Sequence, residues 1–234
     1  FMQLIIFAGG LGTRISEESD YIPKPMVKIG KEPIIWHIMK YYSTFGVTNF
    51  IICGGYKIEI IKKYFHNFNY KNWNVKVIDT GKKSNTGERL RRVKKYINGT
   101  FFLTYGDGLS NVDIKSLIKF HQKNKSLVTL TSVKPIPHYG RLVLNGHKVS
   151  KFIEKDKNLE NWINGGFFIC EEKIFNFLKE QNTIFESDTL TKLAKIKKLV
   201  AYKHKDFWYC MDTLRDKRHL NKLWLSKKAP WKVW

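Results

Sequence analysis

Apolar runs of strand length alternate along this chain with stretches in which apolar residues recur every three or four positions. "QLIIFA" predicts a strand. "PIIWHIMKYYSTF" predicts a helix with Ile35, Ile38, Met39 and Tyr42 on one face. "NFIICGG" and "VKVIDTG" predict two further strands with the helix "KIEIIKKYF" between them. "GERLRRVKKYI" predicts a basic amphipathic helix, "TFFLTYGDG" a fourth strand and "VDIKSLIKFHQKN" the helix after it, and "LVTLTSV" continues the pattern. Strands alternating with helices predict a mostly parallel sheet covered on both faces.

The second half changes texture. "GRLVLNGHKVSKFIEK" sets Asn145-Gly146 between two alternating runs, a hairpin signal. "WINGGFFIC" predicts another strand, followed by a helix near 172–180. Short strands at "LVAYKH" and "FWYCMD" precede a C-terminal helix from about Thr213. The expected organisation is one domain over 1–234: an open α/β sheet with the hairpin as a side wall. Phe1, ahead of Met2, is set aside as a remnant.

Composition narrows this picture. Hydrophobic residues make up 43 % of 234, enough for a real core. No apolar stretch approaches the roughly 20 residues of a membrane span, and no secretory signal opens the chain, so a cytoplasmic, non-membrane protein is expected. Cys53, Cys170 and Cys210 are widely spaced beside strand-like runs and read as buried reduced thiols. The formal charge of +22 favours anionic partners. A nucleic-acid binder would use "ERLRRVKKY" against a phosphate backbone, but no helix-turn-helix, zinc or RNP-type pattern supports that class. Three of the seven tryptophans fall in the last eleven residues. They point to a C-terminal segment that docks on something, a homo-oligomer being one reading.

The candidate chemistry begins where the first strand ends. Gly9, Gly10 and Gly12 follow Ala8, at the end of a strand where open α/β sheets bind ligands. Glycines there bring backbone N–H groups against an anion. The loop lacks the Gly-Lys-Ser/Thr of a P-loop. Ile15 stands where a dinucleotide fold needs its third glycine, and the second strand ends without a carboxylate. Arg14 and Lys24, the latter between two prolines, would instead grip a nucleoside triphosphate. Asp107 just past the fourth strand and Asp212 before the last helix are candidate Mg²⁺ ligands. Asp212 could equally be an N-cap, and Asp107 a turn residue. No His or Cys is placed for base or nucleophilic catalysis, and His37 reads as structural.

Taken together, "AGGLGTR", "PKPMVKIG", "EPIIWHIMKYY", "TGERLRRV", "TYGDG", "INGGFF" and "MDTLRDK" resemble the sugar nucleotidyltransferase family. The likeness runs nearly the whole length and is strongest to the branch that joins CTP to glucose-1-phosphate. It implies a Rossmann-like, nucleotidyltransferase-type sheet with the hairpin over the acceptor site. It implies CTP and a small phosphorylated acceptor as partners, pyrophosphate release, and a product used for surface polysaccharide or capsule. By the same resemblance, Ala8, Gly9, Gly10, Gly12, Thr13, Arg14, Thr86, Gly87, Arg89 and Asp107 bind nucleotide. Arg14, Lys24 and Asp107 serve catalysis, and Asp107 with Asp212 holds the metal. Gly140, Glu154, Lys155, Asn164 and Glu186 hold the acceptor. The departures concern the acceptor. The segment between the second helix and "VIDTG" is short, Asp156 replaces a proline, and "FESDTL" is unusual though it keeps Glu186. A sibling branch acts on phosphoglutamine, and base choice among CTP, UTP and dTTP rests on the resemblance alone.

Overall fold

The computed structural model describes residues 2–12, 21–67, 72–135, 141–153 and 162–234. Its centre is β1 (Leu4–Ala8), all five residues of which are buried. Leu4, Ile6 and Ala8 face one core layer, while Ile5 and Phe7 face the other. Burial on both faces is why this strand reads as an unbroken apolar run. β1 is flanked in parallel by β2 (Asn49–Gly54) and β4 (Phe101–Tyr105), and β3 (Asn74–Asp79) lies outside β2. Chain order thus runs outward from β1 to β3 and then jumps back across β1 to β4. That reversal opens a crevice beyond the carboxyl ends of β1 and β4.

Helices α1 (Ile34–Ser43), α2 (Ile58–His66), α3 (Thr86–Arg92) and α4 (Ile114–Asn124) lie between successive strands, as the periodicity predicts. α3 is shorter than "GERLRRVKKYI" suggests and gives way to a 3₁₀ turn at Lys94–Tyr96. Beyond β5 (Gly108–Ser110), β6 (Val128–Val133) extends the sheet. The hairpin of β7 (Arg141–Asn145) and β8 (Lys148–Ile153) forms a two-stranded sheet of its own, with Gly146 at φ 58° in its turn. "WINGGFFIC" is not one strand. It splits into β9 (Ile163–Asn164) and β10 (Phe168–Cys170), both antiparallel to β6, with Gly166 at φ 74° between them. The helix expected near 172–180 is a 3₁₀ segment, Glu172–Phe177. A π-helical turn, Phe185–Leu190, runs into α5 (Thr191–Lys195). β11 (Leu199–His204) pairs in parallel with β6, β12 (Trp208–Cys210) pairs with β5, and α6 (Leu214–Leu225) ends the regular structure. No helix among the described residues is long and apolar enough to cross a membrane.

The C-terminal tryptophans dock on this chain's own α1. The Trp224 ring lies 4.5 Å from that of His37, and Trp234 lies 5.9 Å from Trp36. The Nε2 of His37 is 2.9 Å from the carbonyl of Ile29, which requires Nε2 to carry the proton, and Trp231 Nε1 donates to Nδ1. Burial lowers the His37 pKa from 6.5 to about 4, although the Ile29 carbonyl opposes the shift. Between those values the unfolded chain binds the proton and the folded chain does not. Stability therefore falls as pH drops from about 6.5 to about 4, by at most on the order of 3 kcal/mol. His37→Gln is expected to flatten the decline of Tm over that interval. Equal slopes in both proteins would contradict the assignment.

Candidate active site

The chain leaves β1 at the crevice through Gly9 and Gly10, and leaves β4 there through Gly106 and Asp107. A cleft of about 440 Å³ opens between these exits. Its walls include Ala8, Gly9, Gly10, Gly12, Lys24, Thr86, Arg89, Asp107 and Glu186, nine of the residues expected from the sequence. The glycines serve different ends. Gly12 has φ 70°, a conformation that favours glycine. A Cβ on Gly10 would meet nothing within 4 Å, so its backbone is open to the cleft. A Cβ on Gly9 would lie 2.0 Å from an Arg89 guanidinium nitrogen, so this glycine makes room for a side chain of the protein itself.

Arg89 is buried. It donates to the carbonyl oxygens of Gly9 (2.8 Å), Gly54 (3.0 Å) and Gly81 (2.9 Å) and to Thr80 Oγ1 (2.8 Å). It therefore ties together the ends of β1, β2 and β3 and shapes the glycine loop from behind. The other arginines of α3 are engaged too. Arg91 and Arg92 pair with the buried Glu88 at 2.8 and 2.7 Å, which takes this helix away from the phosphate-tracking reading. Gly87 stands outside the cleft wall, where a Cβ would lie 2.7 Å from the Thr183 carbonyl oxygen. It lets α3 pack closely on that segment.

The two aspartates are brought together by a short ladder. β5 pairs with β12, and the Met211 N–H donates to the Asp107 carbonyl at 2.9 Å. Asp212 is spared from capping α6. Thr213 is the N-cap, and Asp216 accepts from the Asp212 and Thr213 N–H groups at 3.0 and 2.7 Å. Lys24 Nζ lies 2.6 Å from Asp107 Oδ2 and 2.6 Å from Asp212 Oδ1. Its backbone is set in a 3₁₀ turn, Lys24–Met26, between Pro23 and Pro25. Burial pulls the Lys24 pKa down, but Asp107 and the two carboxylate hydrogen bonds outweigh it, so the ammonium is held above its usual value.

Cys210 departs from the expectation that all three thiols are buried. Cys53 and Cys170 are, and burial pushes Cys53 up to about 12. Cys210 is half-buried and groups with Asp107 and Asp212, their ligand atoms all within 4.8 Å of one another. Two carboxylates beside an open cleft suit Mg²⁺ or Mn²⁺, and the thiol leans toward softer ions. The sequence signal was there: Cys210 and Asp212 lie two apart, on one side of an extended segment.

A chain of hydrogen bonds crosses the cleft's other wall. Thr86 Oγ1 donates to Glu186 Oε2 at 2.6 Å, Tyr105 OH donates to Glu186 Oε1 at 2.7 Å, and Asn164 Nδ2 donates to Tyr105 OH at 3.1 Å. Burial, then the Glu186 charge, raises the Tyr105 pKa, so the phenol stays protonated. This network joins Thr86, expected on the nucleotide side, to Glu186 and Asn164, expected on the acceptor side. Tyr105, its centre, was missed, though it stands two residues before Asp107. Thr13, Arg14, Gly140, Glu154 and Lys155 lie outside the described residues.

A family model described as nucleotidyl transferase matches residues 3–221. The chain is 43 % identical over 256 residues to glucose-1-phosphate cytidylyltransferase of Salmonella typhimurium, across 100 % of both chains. It is 31 % identical over 206 residues to D-glycero-alpha-D-manno-heptose 1-phosphate guanylyltransferase of Aneurinibacillus thermoaerophilus, covering 86 % of this chain and 89 % of that one. Among solved structures, HddC from Yersinia pseudotuberculosis complexed with GMP-PN matches with TM-score 0.75 at 26 % identity, over 96 % of this chain and 100 % of that one. UDP-glucose pyrophosphorylase complexed with UDP-glucose matches with TM-score 0.76 at 19 % identity, over 97 % and 99 %, and supports the fold alone.

Proposed function

The chain belongs to the nucleotidyl transferase family, and from that premise we propose that it transfers CMP from CTP to the phosphate of a sugar 1-phosphate, glucose-1-phosphate before others, and releases pyrophosphate. The observation that carries this reading is the full-length likeness to a cytidylyltransferase in a chain whose crevice gathers the glycine loop, Lys24, Asp107 and Asp212. A CDP-linked product would feed surface polysaccharide assembly.

The proposed reaction is an in-line displacement. An oxygen of the acceptor phosphate bonds to the α-phosphorus of CTP, and the bond from that phosphorus to the bridging oxygen breaks, with pyrophosphate carrying away the electron pair. A phosphomonoester's second pKa is near 6, so the attacking oxygen is already ionised at neutral pH and no general base is needed. The obstacle is repulsion between two polyanions, roughly 1 kcal/mol per charge pair at 4 Å even in water and several times that in a partly buried site. A Mg²⁺ ion held by Asp107 and Asp212 would supply charge stabilisation at the phosphate oxygens. Lys24 on the cleft wall adds a fixed positive charge beside the glycine loop, and Arg14 is proposed to add another. Glu186, held by Thr86 and Tyr105, fixes the wall between the two reactants.

The test is a matrix of CTP, UTP and dTTP against glucose-1-phosphate and phosphoglutamine, read by pyrophosphate release. CTP with glucose-1-phosphate should give the highest rate. If phosphoglutamine is the preferred acceptor, the sugar assignment fails while cytidylyl transfer stands. Release from no pair, with steeply salt-dependent oligonucleotide binding, would overturn the enzyme reading.

A further inference from the structure

Lys24 stands where a metal ion would. Its ammonium bridges two carboxylates that come from positions 105 residues apart, and the Cys210 thiol completes the cluster. Without a cation between them, Asp107 and Asp212 would repel one another at the mouth of the cleft. With Lys24 in place, each gains a short, charge-assisted hydrogen bond.

We propose that the Lys24 ammonium is the resident cation of this site in the metal-free protein, and that it and a divalent ion exclude one another from the position between Asp107 and Asp212. Metal entry then turns the lysine out toward the glycine loop. The exclusion is geometric. An ion sits roughly 2.0–2.2 Å from its carboxylate oxygens, and an ammonium 2.6 Å from those same oxygens would be pressed against it, charge against like charge. The lysine has somewhere to go. Its backbone is pinned by Pro23 and Pro25, but its stem is a flexible four-carbon chain, and the residue already lines the cleft beside Gly9, Gly10 and Gly12. One side chain would thereby serve two stages: it holds the ligands in register until the ion arrives, then offers its charge to the triphosphate. Only that last step rests on the transfer reading. The exclusion itself is tested without nucleotide or acceptor, so the two fail separately.

The experiment uses Mn²⁺ as the probe and the full chain without nucleotide. Mn²⁺ binding is followed by electron paramagnetic resonance in the natural protein and in Lys24→Met. In parallel, acylation of Lys24 in the natural protein is measured by peptide mass spectrometry with and without Mn²⁺, with the exposed Lys28 as internal reference. Lys24→Met is expected to bind Mn²⁺ about tenfold more tightly, since the competing charge is gone. Lys24 acylation is expected to rise about threefold or more on Mn²⁺ saturation, with Lys28 unchanged, as the stem swings free. Mn²⁺ affinity that is unchanged or weaker in Lys24→Met overturns the proposal. So does Mn²⁺ bound to the natural protein with Lys24 as protected as before. Should Lys24→Met fail to fold, the acylation measurement decides alone.

Discussion

Asp107→Asn is expected to lower turnover by roughly 10²–10³-fold while Tm stays within a few degrees of the natural protein. The substitution keeps the side chain's shape and removes its charge. The backbone of Asp107, whose carbonyl accepts from Met211, is untouched, so the β5–β12 ladder should persist. What goes is one of the two negative charges that hold Lys24 and would hold the metal. Asp212 still faces the buried Lys24 ammonium in this variant, so that charge keeps a partner and the loss falls mainly on the reaction. Asp212→Asn should behave alike, because Thr213 and Asp216, not Asp212, cap α6. Rates measured at limiting Mg²⁺ should fall furthest. Near-normal turnover there in either variant would remove that aspartate from the metal site.

The second large effect is expected at Arg89, and it is one of stability. Arg89→Met keeps the apolar stem but removes the guanidinium that donates to Gly9, Gly54, Gly81 and Thr80, leaving Gly9 and Gly54 with only their donors from Tyr56 and Thr80. Losing four hydrogen bonds from one buried charged donor should cost about 3 kcal/mol, read as a lower denaturation midpoint at unchanged m-value. The surviving folded protein should show a raised KM for nucleotide, because the Gly9 carbonyl would lose the shorter of its two anchors and keep only the Tyr56 N–H. A loss below about 1 kcal/mol would show that the loop does not depend on this strut.

These two residues also mark how far the sequence could be read. The strands were legible because β1, β2 and β4 are buried on both faces over most of their length and are mostly apolar. Asp107 and Lys24 were legible because a glycine-flanked carboxylate and a proline-flanked lysine have few ordinary uses in such a loop. The structural part that Arg89 plays was not legible. In a helix written "ERLRR", each arginine looks like a solvated charge or a ligand contact, and only tertiary packing buries the first one against three strand ends. The space beside Gly9 was not legible either, since no local rule says which neighbour will fill the room its missing side chain leaves. The break in "WINGGFFIC" falls at Gly166 and Phe167, which both adopt positive φ, where one strand was expected. The Lys24–Asp212 contact spans 188 residues, and the docking of Trp224, Trp231 and Trp234 on α1 is likewise set by the topology.

The most direct measurement is a crystal structure of this chain with Mg²⁺ and a non-hydrolysable CTP analogue. The triphosphate should run along the backbone from Gly9 to Gly12, with the ion between Asp107 and Asp212 and the Lys24 ammonium on phosphate oxygen. A nucleotide bound away from the crevice between β1 and β4, or phosphates in the crevice with neither aspartate near an ion, would contradict it.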